Sequence, residues 1–572
     1  MRRPILLALL VPAALTSCLL RPHGERARIP RTWPFARVDS PVVAPHAMVS
    51  SEHPIASEVG AEIMRQGGNA IDAAVAVGFA EAVVNPRAGN IAGGGYLLYR
   101  RADGELFGLD YRETAPAAAS RNMYLDSAGN LTEASLVGAL ASGVPASVAG
   151  LFEMHRRFGR LPWKTLIEPA IRLARDGHVV DSTRAAVIRL NAERLAKFPG
   201  TAALFVPYGE PLAAGTLWRQ SDLARTLELI ADSGADGFYR GRTADLIVAQ
   251  MRRSGCIITR ADLESYRPIW RDPVRISYRG WTVVSMPPSS SGGVTMGEIL
   301  NILEGWRTLP AYGTPELFHL EVEAMRRAFT DRNRWLGDPD FVQMPVDRLL
   351  SKQYAAQLRA SISRRRATPG AGVPPLVEGG NTTHYCVVDP DGDAVSITTT
   401  LNDNFGNALV VDGAGFLLND EMDDFASKPG SPNMFGLVQG EANAIAPGKR
   451  MLSSMAPAIV LDSAGGLSMV LGSPGGSRII TGVTQVISNV IDHGMTMAQA
   501  VYAPRIHHQG LPDSIRWEPG GLDPRTRREL EQMGHHFYAH PAGNAVVEAI
   551  RVTPRGLEGV TDPRIPSRAV GF

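Results

Sequence analysis

Residues 379–425 read GGNTTHYCVVDPDGDAVSITTTLNDNFGNALVVDGAGFLLNDEMDDF, and the first half of that stretch has the pattern of a β-hairpin. Residues 384–388 alternate with the period of a half-buried strand, Pro390-Asp391-Gly392 supplies turn chemistry, and 394–400 form a second β-branched run. If Asp389 pairs with Asp393, antiparallel symmetry sets Thr382 opposite Thr400 and Thr383 opposite Thr399.

A threonine hydroxyl is a weak nucleophile, and one way to activate it is to make the residue a chain terminus whose own α-amine takes the proton. Such an amine has an ordinary pKa of about 7.7 to 8.0, close enough to neutral for a base. Creating it requires scission between Asn381 and Thr382, by attack of the Thr382 hydroxyl on the Asn381 carbonyl and hydrolysis of the ester. Thr400, across the hairpin, is placed to hold the amine or hydroxyl. A Thr-Thr pair opening a strand is also an ordinary β-favouring choice, so the hairpin alone does not decide the matter.

Other motifs agree, in order along the chain. Thr382-Thr383-His384-Tyr385, Thr400-Leu401-Asn402 with Phe405-Gly406, NDEMDDF at 419–425, RMLSSMAP at 450–457 and GSPGGSRI at 472–479 together resemble the γ-glutamyltranspeptidase family. The likeness continues upstream through Glu52-His53-Pro54, Gly67-Gly68-Asn69-Ala70, NPRAGNIAGGG at 85–95 and Asp110-Tyr111-Arg112-Glu113. It covers nearly all of the chain after the N-terminal segment. The resemblance implies an α+β fold, the N-terminal-nucleophile (Ntn) hydrolase αββα sandwich: two stacked antiparallel sheets flanked by helices, self-cleaved into a large and a small subunit. It implies γ-glutamyl transfer from glutathione and other γ-glutamyl compounds to water, amino acids or peptides through a γ-glutamyl-Thr ester, with no cofactor and no metal.

The same resemblance distributes roles. Thr382 matches the nucleophile and Thr400 its partner; Gly475 and Gly476 match the oxyanion hole, where two backbone N–H groups must approach a carbonyl oxygen with no Cβ in the way. Arg112 matches the arginine that forks onto the α-carboxylate of the glutamyl group, a geometry a planar guanidinium suits better than lysine. Asp110 and Glu113 are then partners that orient Arg112, or surface charges. Glu421 and Asp424 match the carboxylates for the α-ammonium, with Asp420 and Asp423 as bystanders. Asn402 matches a hydrogen-bond partner of the glutamyl group, and Ser453 and Ser454 match hydroxyls on its carboxylate. Phe435 stands within a lid loop where some relatives carry tyrosine, so the ring is kept and the hydroxyl lost. Rival readings are a cephalosporin or glutaryl acylase or a poly-γ-glutamate transpeptidase on the same scaffold, and a self-cleaved surface lipoprotein without activity.

Residues 1–17 have the layout of a secretory signal: Arg2 and Arg3, then an apolar run over 5–15 too short to span a bilayer as a mature helix. Leu15-Thr16-Ser17-Cys18 resembles a bacterial lipobox with Cys18 as the lipidated residue, and Leu19 resembles the sorting position of lipoproteins sent to an outer membrane. Plain signal cleavage with Cys18 idle is the alternative. The stretch 21–40, rich in Arg and Pro, reads as a tether. The expected division is signal 1–17, tether 18–45, large subunit 46–381 and small catalytic subunit 382–572, exported to the periplasm or outer membrane.

The rest of the sequence mostly excludes. With 58 basic against 57 acidic side chains there is no field to recruit nucleic acid. There is no Cys-x-x-Cys, His-Glu-x-x-His or Gly-x-Ser-x-Gly, and the pairs His507-His508 and His535-His536 read as structural because adjacent residues point apart. Cys256 and Cys386 read as free thiols, the latter buried in its strand, with a disulfide between them as the alternative. Periodicity predicts an amphipathic helix over 52–66, a buried one over 70–84, a glycine-rich turn over 90–95 that serves close backbone packing, and a strand over 96–100. The span 141–340 reads as mainly helical, with helices over 148–158, 163–175 and 316–332. Ser289 to Ser291 read as a loop, and 367–380, with its Pro and Gly, as an exposed mobile run up to the scission point.

Overall fold

The structure, a computed structural model, describes residues 29–370 and 382–572. The signal segment, Cys18, Asn381 and most of the run before it lie outside the described residues.

Two seven-stranded antiparallel sheets form the centre. The first runs Arg568–Gly571, Met48–Ser51, Thr382–Val388, Ala394–Thr400, Gly94–Arg100, Leu106–Tyr111 and Ile269–Arg271. The hairpin of the opening stretch thus sits in its middle. Its register pairs Thr382 with Thr400 and Thr383 with Thr399, and the Asp389 N–H donates to Asp393 O at 3.0 Å, as turn symmetry requires. The second sheet runs Val42–Ala44, Gly556–Val560, Glu548–Thr553, Leu467–Gly472, Ala458–Leu461, Trp281–Ser285 and Val274–Tyr278.

Period-two alternation decides which side chains meet. Tyr385, Val387, Val395 and Ile397 point outward into a core shared with the helices Pro54–Arg65, Ala70–Val84, Ser147–Phe158 and Trp163–Asp176. Cys386, Val388 and Ala394 point the other way, against Ile459, Val470 and Ile550 of the second sheet. That sheet is covered in turn by Gly292–Glu304, Pro315–Trp335 and Arg478–Ile491. The result is the αββα sandwich, and Thr382, in phase with His384 and Cys386, lies between the sheets.

Ala70–Val84 has the predicted bounds. It is buried on every side, and Asn69 and Asp72 close its N-terminus with a reciprocal capping box. The strand predicted over 96–100 starts earlier, at Gly94, because Gly94 and Gly95 pair with Thr400 and Thr399. Close packing is the reason for the glycines, since a Cβ on Gly93 would collide with the Thr400 carbonyl.

The span 141–340 is mainly helical, and it also contributes the strands Ile269–Arg271, Val274–Tyr278 and Trp281–Ser285, the last two joined by Arg279 and Gly280, both at positive φ, as a tight hairpin turn demands. Two expectations need correction. The tether reading stops short of residue 29, because Trp33 is buried, donates to Tyr502 O at 2.8 Å and lies under Arg564. The run before the scission point is pinned at its start rather than exposed. Ala367 is buried, its N–H donates to Met533 O at 2.7 Å, and Thr368 donates to Glu323 through both N–H and hydroxyl. Cys386 is a buried free thiol and Cys256 is free as well.

Candidate active site

Thr382 opens its strand on the inward face, and its hydroxyl lies 3.4 Å from that of Thr400. Thr400 Oγ1 accepts from the Asn402 N–H at 2.8 Å, which fixes its lone pairs. Asn402 leaves the strand at φ +83°, an uncommon conformation for a non-glycine residue. Its Nδ2 is spent on Asp420 O, leaving Oδ1 as an acceptor. These residues line one pocket, about 260 Å³ of empty space, together with Arg112, Glu421, Asp424, Phe435, Ser453, Ser454, Met455, Gly476 and Ile479. Among the residues assigned to catalysis, cleavage and substrate binding only Gly475 and Asn381 are not on that wall: Gly475 stands one residue behind Gly476, and Asn381 lies outside the described residues.

Two acids and an arginine form one pole of the pocket. Arg112 is wholly buried; its Nε donates to Met451 O, Nη1 to Glu421 and Nη2 to Asp424, so three of its five N–H groups are engaged. Burial works against its charge, but Glu421 and Asp424 outweigh that and hold it above the usual arginine range. Burial raises both acids while Arg112 pulls them back, and Glu421 is pushed up to about 7. Glu113 is 3.6 Å from Arg112 Nη1. Burial, then the charge on Glu421, push it well above the carboxylate range.

Neither Asp110 nor Glu113 is a surface charge, since both are wholly buried. Asp110 orients Arg112 through its backbone, accepting the Arg112 N–H at 3.0 Å, and pairs with Arg271 rather than with the Arg112 guanidinium.

Two hydroxyls line the same pocket. Ser453 Oγ accepts from the Met455 N–H at 3.1 Å and Ser454 Oγ accepts from Arg332 Nη2 at 3.2 Å. Neither hydroxyl donates to another described residue, so each keeps an O–H for the pocket. Their loop is braced from behind: Ser291 donates to Ser453 O through both N–H and hydroxyl, which gives the serine run 289–291 its structural part.

Gly475 and Gly476 sit at φ +130° and +59°, just before the helix Arg478–Ile491. Their carbonyls accept from Arg478 and Ile479, while their N–H groups donate to no described residue. Unpaired donors at a helix N-terminus suit a developing oxyanion. The Phe435 ring lies directly over Gly476: a Cβ built there would come within 2.6 Å of it.

The γ-glutamyltranspeptidase family model matches residues 56–572. The chain belongs to that family. A glutathione hydrolase proenzyme from Pseudomonas sp. (strain A14) is 49% identical over 531 residues, 92% of each chain. One from Escherichia coli (strain K12) is 44% identical over 532 residues, 92% of this chain and 91% of that one. Among solved structures, a cephalosporin acylase from Bacillus halodurans aligns with TM-score 0.84 at 28% identity, over 95% of this chain and 99% of that one. A sandwich of two antiparallel sheets between helices is therefore a γ-glutamyltranspeptidase fold shared with acylases.

Family motifs point to the residues that face the pocket and pass over those that hold them. Asp423, taken as a bystander, accepts the Met434 N–H at 2.9 Å and so ties the loop carrying Phe435 to the acidic cluster. Gln439 donates to Asp424 O and accepts from Arg332. No sequence signal marks either. Three of the four paired histidines are engaged inside the protein, His507 with Thr481 and Gln509, His508 with Asp513, and His535 Nε2 with His319 Nδ1 at 2.7 Å, while His536 is exposed. His319, Glu323 and His535 bring three donor atoms within 4.8 Å of one another, but Glu323 already serves Arg327 and Thr368.

Proposed function

We propose that this protein is an autoprocessed γ-glutamyltransferase and glutathione hydrolase, with the chain before Thr382 as large subunit, the packed residues 29–45 included, and 382–572 as small subunit. One observation carries the reading: a single pocket lined by buried side chains brings together Thr382, a carboxylate pair and two hydroxyl donors. An amino-acid head group carries one ammonium and one carboxylate, and this pocket offers a partner for each. Thr382 attacks the Asn381 carbonyl, the ester hydrolyses, and the new α-amine becomes the base. Thr382 Oγ then attacks the γ-carbonyl of the donor, and the amine passes the proton to the leaving group. Gly476 N–H, backed by Gly475, holds the oxyanion, and Thr400 fixes the nucleophile. Water or an amino acid resolves the γ-glutamyl ester. Arg112 has two N–H groups left for the α-carboxylate, beside Ser453 and Ser454, while Glu421, Asp424 and Asn402 Oδ1 take the ammonium.

The likeness to a cephalosporin acylase gives the second reading, a glutaryl amidase. A glutaryl group lacks the ammonium and would leave Glu421 and Asp424 without it. With γ-glutamyl and glutaryl p-nitroanilides, kcat/KM should favour the first by about 100-fold or more, because buried groups left unpaired penalise the analogue heavily. Faster turnover of the glutaryl anilide would assign the protein to the acylases.

The carboxylate pole also sets a pH dependence. Glu421, raised to about 7 by burial, binds ammonium only when ionised. As pH falls below 7 the carboxyl takes up a proton, and KM for the γ-glutamyl anilide should rise, by at most about tenfold per pH unit. Glu421→Gln should bind weakly and lose this acidic limb in KM; a limb that persists in the variant assigns it elsewhere.

Among the described residues no helix is long and apolar enough to cross a membrane. Export and attachment rest on the N-terminal segment, whose Arg2-Arg3, apolar run and Leu15-to-Cys18 motif support a lipid anchor at Cys18.

A further inference from the structure

Arg332 stands in the last turn of the helix Pro315–Trp335 and is 1% exposed. Among the described residues all of its hydrogen-bond partners are neutral. Nε donates to Ser291 Oγ at 3.2 Å, Nη1 to Asn333 Oδ1 at 3.0 Å and Gln439 Oε1 at 2.8 Å, and Nη2 to Ser454 Oγ at 3.2 Å. Other deeply buried arginines are differently placed, Arg112 against Glu421 and Asp424 and Arg505 against Asp562. A guanidinium taken out of water without a carboxylate in contact is unfavourable unless something nearby offsets it. The opposing charge Arg332 feels is that of Asp424, which Arg112 already engages.

A guanidinium only donates, so the Ser454 oxygen must be the acceptor in that pair. Its proton is thereby left for the pocket. Ser453 is placed in the same way by the Met455 N–H, and Arg332 also holds Ser291, which grips the Ser453 carbonyl. One buried cation thus stands behind both hydroxyls.

We infer that Arg332 is a positioning residue for the α-carboxylate of the γ-glutamyl donor, turning the Ser454 hydroxyl toward it and supplying a positive charge that the carboxylate offsets on binding. The inference rests on the γ-glutamyl reading and deepens it. Recognition of the carboxylate is then shared by two arginines: Arg112, which lines the pocket, and Arg332, one hydroxyl removed. The effect belongs to ligands that carry the α-carboxylate, and to binding rather than bond-breaking.

The test uses the processed enzyme with γ-glutamyl p-nitroanilide as substrate, and L-glutamate and 4-aminobutyrate as competitive inhibitors, the second lacking the α-carboxylate. Loss of a charge-assisted contact predicts that Arg332→Gln raises KM and the glutamate Ki by about 30- to 100-fold, with kcat and the 4-aminobutyrate Ki within about threefold. Arg332→Lys should recover about tenfold of that loss, because charge returns without the planar fork. A fall in kcat at unchanged KM, or an equal rise in both Ki values, overturns the inference. Should Arg332→Gln fail to fold or to split, Ser454→Ala must show the same selective loss, and its absence overturns the inference equally. Wild-type protein inactive on the γ-glutamyl anilide would instead reject the underlying reading, before any variant is compared.

Discussion

Thr382→Ala should run on a denaturing gel as one unsplit polypeptide and lower kcat on γ-glutamyl anilide by on the order of 10⁶, the scale seen when a covalent nucleophile is removed. The proposed mechanism needs the hydroxyl twice, first against the Asn381 carbonyl and then against the donor. Among the described residues no side chain supplies a substitute: Thr382 Oγ1 has one side-chain partner, Thr400, which is not a base at neutral pH. His384 lies two residues on and on the same face, but its Nδ1 is engaged by Thr398 at 2.8 Å and its Nε2 by Cys386 Sγ at 3.1 Å. Burial moreover pushes its pKa down to about 3, too low for a proton acceptor at neutral pH. That leaves the α-amine that scission creates. Strand pairing is a backbone matter, so alanine keeps the hairpin, and Thr382→Ser should still split and turn over. An alanine variant that separates into two subunits removes Thr382 from the processing step.

The parts of this fold that could be read in advance are those where a local rule fixes a distant consequence. Asp389 and Asp393 flank a short turn, so the register follows outward to Thr382 and Thr400 without knowledge of any other element. Asn69 and an apolar run of matching length likewise fix the helix Ala70–Val84. What escaped depends on partners remote in sequence. Arg332 sits among charged residues in a helix that reads as half solvated, and only the arrival of Ser454 and Gln439 from more than a hundred residues away buries it. Trp33 looks like part of a tether until Tyr502 and Arg564 supply its cover. The short strands Val274–Tyr278 and Trp281–Ser285 were hidden for a related reason: five-residue alternation is weak against the long helical periods on either side.

Gly476→Ala keeps the backbone N–H but must turn it away from its present direction, and is expected to lower kcat by up to about 10² to 10³, the effect of losing one oxyanion donor, with a smaller change in KM. Two effects combine in that variant and must be separated. At φ +59° an L-residue is strained, and the new Cβ lies 2.6 Å from the Phe435 ring, so Phe435 must shift as well as the backbone N–H. Phe435→Ala supplies the control. Alone it removes apolar cover from the pocket and should act mainly on access; combined with Gly476→Ala it relieves the clash and should recover thermal stability. If Gly476 matters because its N–H meets the oxyanion, the double variant stays slow. Recovery of kcat together with stability would mean that the glycine serves only to make room for the Phe435 ring, and the oxyanion would have to be held by other donors.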